Sequence, residues 1–194
     1  MEKPPKVKTN RDAIIGAALA GFVETGFHQT GIRDIAKRAG VSLGNLYNHF
    51  SGKDALIVEI ARIEADEIGQ MLATLPKADS SMDAVCALAK ALLKQESRPE
   101  NAVLAADLTS EAMRNPVVAK VFAANSAQID AALTALIRRG IKLGELSAPV
   151  PVGDIVSLIR DTAQSSGMRV AFAGKKATIA AIKAQDAMIR RLLA

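Results

Sequence analysis

An all-α chain is predicted by three features of the sequence. Apolar residues recur at three- and four-residue steps along most of its length, no segment shows strand-like alternation, and glycine or proline separates the periodic segments at intervals that suit about nine helices. Of the 194 residues six are aromatic, Phe22, Phe27, Tyr47, Phe50, Phe122 and Phe172, and four of these precede residue 51. That distribution predicts a small N-terminal unit with an aromatic core over 10–53 and a larger Ala/Leu/Ile-rich helical body over 54–194, while residues 1–9, polar and basic with paired prolines, read as a flexible basic arm.

Asn10 opens the first helix, in which Ile14, Ile15, Ala18, Leu19, Phe22 and Val23 recur at helical spacing. Gly26 ends it, Phe27 turns back to the core, and His28 and Gln29 lead to Thr30. Thr30 is read as the N-cap of a second helix whose apolar stripe is Ile32, Ile35, Ala36 and Ala39. Gly40, free to adopt φ > 0, stops that helix. Val41 plugs the turn, and Ser42 caps a short third helix running to Phe50. Two short helices joined by a glycine-containing turn form a helix-turn-helix. Val41 and Leu46 pack inward, leaving Ser42, Leu43, Gly44, Asn45 and Tyr47 on an outer side slim enough for a major groove about 12 Å wide.

Ser51 with Asp54 resembles a capping box for a long fourth helix that reaches about Leu75 and stops at Pro76. Helices follow over about 80–97 with Val85, Leu88 and Leu92, from Pro99 with Val103, Leu104, Leu108 and Met113, and from Pro116 to Leu143. Both prolines suit a first helical turn. Gly144 to Gly153, with Pro149 and Pro151, is a long loop. Asp154 to about Phe172 then carries Ile155, Leu158, Ile159, Thr162 and Arg169, and Lys175 to Leu193 carries Ile179, Ile182 and Ile189. The small residues Ala163, Ser165, Ser166, Gly167, Ala180, Ala181 and Ala184 beside them allow close helix approach. Two such helices from each of two subunits make a four-helix homodimer interface, and packing within one chain explains the same pattern.

The net charge is +5, and its location is informative. Residues 1–53 hold eight basic and four acidic side chains, a balance of +4, whereas the remaining 141 residues balance to +1. The excess positive charge thus coincides with the helix-turn-helix, as binding to a polyanion requires. Cys86 is the single cysteine, so no internal disulfide forms and a reducing cytoplasmic setting is expected. Lys3, Lys6, Lys8 and Arg11 ahead of the uncharged run Ala13–Val23 imitate a secretory signal. Glu2 and Asp12 interrupt the positive region, however, and 11 residues are too few to span a bilayer, so no membrane partner is expected.

Thr30, Ile35-Ala36, Ala39-Gly40-Val41-Ser42, Leu46-Tyr47-Asn48-His49-Phe50 and Lys53 resemble the N-terminal domain of the tetracycline-repressor (TetR) family of bacterial transcription regulators. The resemblance covers about the first 55 residues, and beyond them rests on helix number and layout. It implies that Thr30, Tyr47, His49 and Lys53 grip phosphates of double-stranded DNA while Ser42, Leu43, Gly44 and Asn45 face base edges. The chemistry of these side chains agrees: Asn45 suits a paired bond to adenine, Ser42 several edges, and Leu43 a thymine methyl, while Gly44 permits close approach. The resemblance further implies a dimer formed by the last two helices and a C-terminal ligand-binding and dimerisation domain whose small-molecule effector releases DNA. Met71, Cys86, Leu104, Met113, Phe122 and Gln128 are candidate pocket walls, each equally well explained as core packing. The scarcity of aromatic and buried charged residues favours an apolar or amphiphilic effector. An activator, or a helical hydrophobe carrier whose N-terminal motif mediates protein contacts, are the competing functions. Catalysis is not expected, because both histidines, His28 and His49, lie in the N-terminal unit without a paired nucleophile. No metal-ligand spacing occurs, no cofactor is expected, and Gly140 to Gly144 reads as a helix end rather than a phosphate loop.

Overall fold

The computed structural model describes residues 9–74 and 78–194. Most of the expected basic arm, and Leu75 and Pro76 where the fourth helix was expected to stop, lie outside the described residues. Those residues form nine helices and no strand: α1 (Asn10–Thr25), α2 (Ile32–Ala39), α3 (Leu43–His49), α4 (Lys53–Ala73), α5 (Ser81–Glu96), α6 (Pro99–Ala112), α7 (Pro116–Lys142), α8 (Val152–Val170) and α9 (Lys175–Leu193). They divide into two compact units, one made by the chain up to Glu64 with Leu104–Phe122, the other by Ala65–Val103 with Ala123–Ala194.

In the first unit α1 starts on a reciprocal capping box, in which the Asp12 N–H donates to Thr9 Oγ1 and the Thr9 N–H to Asp12 Oδ2, each at 3.1 Å. Gly26, at φ 88°, ends α1. Thr30 corrects the sequence reading: the N-cap of α2 is Gly31, whose N–H donates to Asp34 Oδ2 at 3.2 Å. Thr30 is instead buried, its hydroxyl 2.8 Å from the Gly26 carbonyl and 2.9 Å from Thr25 Oγ1. Its methyl explains Gly21, since a Cβ there would lie 2.7 Å from Thr30 Cγ2. The turn after Gly26 folds Thr30 under α1 before α2 begins. Gly40, left-handed at φ 69°, closes α2, and Ser42 Oγ accepts from the Asn45 N–H at 3.1 Å to cap α3.

The core of this unit joins Ile14, Ala18, Phe22, Phe27, Ile35, Leu46 and Phe50 to Leu56, Ile57 and Ile60 of α4 and to Leu108 and Val118. The Phe22 and Phe27 rings meet edge to face with centroids 5.2 Å apart. The compact unit therefore extends past residue 53, because Leu56, Ile57 and Ile60 of α4 are buried in the same core as the aromatics.

In the second unit α5, α8 and α9 surround a core of Val85, Leu88, Leu93, Leu133, Ile137, Ile155, Ile159 and Ile189. Gly167 lets α8 close on α5, since a Cβ there would lie 2.3 Å from Glu96 Cβ. The Gln185 amide, buried, donates to the Ile159 carbonyl at 3.2 Å and ties α9 to α8. Gly140 is an interior residue of α7 and Gly144, at φ 71°, follows its end.

The face expected to meet a second subunit needs correction. Ile155, Ile159 and Ile189 are fully buried in this unit's own core, so they are not available to another chain. Leu158 and Ile179 are each 45% exposed, Arg169 is exposed, and Thr162 and Ile182 are partly buried. Neighbouring helical residues diverge by about 100°, so Leu158 and Ile159 cannot share one face, and the apolar stripe read from the sequence spans two. Among the described residues no helix is long and apolar enough to cross a membrane.

Candidate nucleic-acid interface

Helix α3 is seven residues long, and its orientation is set by Leu46, which has no solvent exposure. At about 100° per residue, Gly44 and Asn48 lie on the opposite side from Leu46, with Tyr47 and Asn45 to either side. Exposure follows this geometry: Ser42, Gly44, Asn48 and His49 are exposed, and Tyr47 is 53% exposed. A side chain added at Gly44 would meet no atom within 4 Å. The exposed face is therefore short, polar and unobstructed within its unit, the profile a groove-entering helix requires.

Two residues expected on that face are turned partly inward. Leu43 is half-buried against the core, and Asn45 is half-buried with its Oδ1 buried and unbonded. A paired bond from Asn45 to adenine thus requires its side chain to rotate. Thr30 is removed from the phosphate-contacting set altogether, since its hydroxyl is buried and bonded within the chain.

Lys53 is also redirected. As the first residue of α4 it sends its ammonium back to the α1–α2 connection, where Nζ donates to the carbonyls of Phe27 at 2.6 Å, Thr30 at 3.1 Å and His28 at 3.4 Å. The same ammonium sits 4.3 Å from the centroid of the Phe27 ring. Burial holds its pKa below the ordinary lysine value, opposed by the carboxylates of Glu111, Asp107 and Asp54. The connection is held from α6 too. Asp107 Oδ2 accepts the Phe27 N–H, and Glu111, buried, places Oε2 2.8 Å from His28 Nε2 without hydrogen-bond alignment.

The other cations of this segment fall into two groups. Arg38 clasps Glu24 with two bonds of 2.8 and 2.6 Å and holds that carboxyl below the usual range. Arg11 pairs with Glu59 at 2.7 Å and lies 5.3 Å from the centroid of the Phe50 ring. Arg33 and Lys37, exposed and one turn apart on α2, have no ion-pair partner among the described residues. They and Asn48 were missed as candidates by the sequence reading. The spacing of Arg33 and Lys37 opposite the Ile35-Ala36 stripe was the signal for them.

The six candidate pocket residues do not converge within either unit. Leu104 and Phe122 pack against the core of the first unit, whereas Met113 is 82% exposed. Cys86 is buried in the core of the second, where desolvation pushes its thiol pKa up to about 12, and Met71 packs against that core. The Gln128 amide lies 3.4 Å from where a Gly69 Cβ would stand. A cavity of about 260 Å³ in the second unit is lined by other residues, among them Leu72, Ser81, Leu136, Arg139 and Glu145. Among the described residues no group of three His, Cys, Asp or Glu side chains is arranged to hold a metal.

Residues 14–60 match the family model of bacterial regulatory proteins of the tetR family. The chain is 25% identical over 160 residues to the HTH-type transcriptional regulator UidR of Escherichia coli, covering 80% of this chain and 79% of that one. It is 39% identical over 57 residues to the HTH-type transcriptional repressor KstR2 of Mycobacterium tuberculosis, 29% of this chain and 28% of that one. Among solved structures, Salmonella enterica GusR superposes with a TM-score of 0.80 at 25% identity, covering 99% of both chains.

Proposed function

Since this chain belongs to the TetR family of bacterial transcription regulators, we propose that it is a dimeric repressor that holds a near-palindromic operator and releases it when a small molecule binds the helical body. The observation that carries this reading is the exposed outer face of α3, with Gly44 open and Leu46 anchoring the helix from behind. Ser42 and Asn48 are assigned to base edges, and Gly44 to close approach. Tyr47, His49, Arg33 and Lys37 are assigned to phosphates. One seven-residue helix contacts too few base pairs for useful selectivity, and a two-fold dimer doubles the contacts. The exposed Leu158 and Ile179, with exposed Ala180, Ala184 and Ala187 on α9, support a close helix-to-helix seam with a second copy. An apolar or amphiphilic effector that favours the DNA-released state by about 1–3 kcal/mol weakens operator binding roughly 5–150-fold.

Selection of bound DNA from a random duplex pool tests this reading. The expected product is a near-palindrome with half-sites about one helical turn apart, roughly 34–36 Å. Its affinity should fall with salt on a log–log slope between about −4, for Arg33 and Lys37 from each copy, and about −9 if more phosphates are neutralised. No enrichment, or a flat salt dependence, would overturn it.

A further inference from the structure

The Lys53 ammonium, at the first residue of α4, has three N–H groups and three backbone carbonyls within 2.6–3.4 Å, all from the connection between α1 and α2. A cation at a helix N-terminus is opposed by the helix dipole, so its position there calls for compensation. The compensation comes from those carbonyls, the Phe27 ring face 4.3 Å away, and the carboxylates of Asp54, Asp107 and Glu111 that act on it. The same short connection is held from its N–H side by Asp107, which accepts from Phe27. It also contains Thr30, whose buried hydroxyl ties it to the end of α1. Every donor of Lys53 is thus directed into the protein, and what it fixes is the segment that launches α2 and, through the Gly40 turn, α3.

We propose that Lys53 is a positioning residue for the DNA-reading helices, gripping the 27–30 carbonyls rather than a phosphate. The phosphate charge it was expected to neutralise is then supplied by Arg33 and Lys37. The proposal rests on the operator-binding reading for its consequence, though not for the grip itself.

The test compares the full-length protein with Lys53→Met, Lys53→Arg and the double variant Arg33→Ala/Lys37→Ala. Affinity for a duplex carrying the selected sequence is measured by fluorescence anisotropy across a salt series, and amide hydrogen exchange of residues 27–31 is measured without DNA. If Lys53 positions, Lys53→Met speeds exchange in the connection and weakens binding by a similar factor at every salt concentration, leaving the slope unchanged. Lys53→Arg behaves like Lys53→Met, because a planar guanidinium cannot converge its N–H groups on three carbonyls. The double variant flattens the slope by about 1.8 for each of its two residues in a dimer, at about 0.9 per phosphate.

If Lys53 instead met a phosphate, Lys53→Met would flatten the slope by about 1.8 and Lys53→Arg would keep the wild-type affinity. Either result overturns the proposal, as does unchanged exchange in Lys53→Met. A wild-type protein with no salt-sensitive DNA binding would refute the operator reading, while the exchange measurement would still decide the grip. Should Lys53→Met fail to fold, Lys53→Arg carries the same discrimination.

Discussion

Replacing Gly44 by Ala separates stability from recognition at one atom. Gly44 lies in the first turn of α3, and a Cβ there would have nothing within 4 Å, so the added methyl meets no protein atom. Alanine is the better helix former by up to about 1 kcal/mol. A chain of this size gains roughly 2–4 °C in melting temperature for each kcal/mol, so thermal melts by far-ultraviolet circular dichroism should show a rise of that order or somewhat less. Operator binding should move the other way. The methyl projects from the face opposite Leu46, into the space a base edge occupies on close approach. Crowding at one position per half-site should cost on the order of 1–3 kcal/mol in each, as a mismatched base pair does, hence about thirtyfold or more over the two half-sites in anisotropy titrations. A variant that melts higher yet binds with unchanged affinity would show that Gly44 does not approach DNA. One that melts lower would refute the open-space argument itself.

Gly40→Ala should destabilise the protein by about 1–2 kcal/mol in urea titrations, because φ 69° is a left-handed conformation that a side chain disfavours even with open space around it. If the proposed dimer forms through α8 and α9, Leu158→Glu combined with Ile179→Glu should shift the protein to monomer in analytical ultracentrifugation while each chain keeps its helical circular-dichroism spectrum, since both side chains are already exposed within one chain. Arg38 lowers the pKa of Glu24, so their pairing contributes stability above the unfolded carboxylate value and loses it as pH falls through the lowered folded value. Arg38→Ala should accordingly raise the Glu24 pKa in a carboxyl NMR titration, and its stability deficit should be present at neutral pH and vanish in acid.

The helix-turn-helix was legible because its determinants are local. Gly26, Gly40 and Ser42 act through their own backbone angles or a bond three residues away, and Leu46 is fixed by periodicity. Misplacements arose where a distant segment decides. Thr30 has the right chemistry for an N-cap, but the turn at Gly26 carries it under Gly21, and the cap passes to Gly31. Lys53 reads as a free cation until the carbonyls of residues 27, 28 and 30 are seen to converge on it. Asp107 and Glu111, which hold the same connection, lie about eighty residues further along, where no sequence period points to them. On α8 the apolar period was correct, but a period does not say which of two apolar flanks turns inward. Ile155 and Ile159 do, and Leu158 does not.

The central claim, that α3 reads base edges from the major groove, can be tested by changing one groove of the selected operator at a time. Thymine-to-uracil and guanine-to-7-deazaguanine replacements alter only the major-groove edge, whereas inosine for guanine removes the minor-groove amino group. Loss of affinity on the first two within the half-sites, with the inosine duplex bound as tightly as the original, is the predicted result. Sensitivity to inosine alone would place the protein in the other groove and contradict the account.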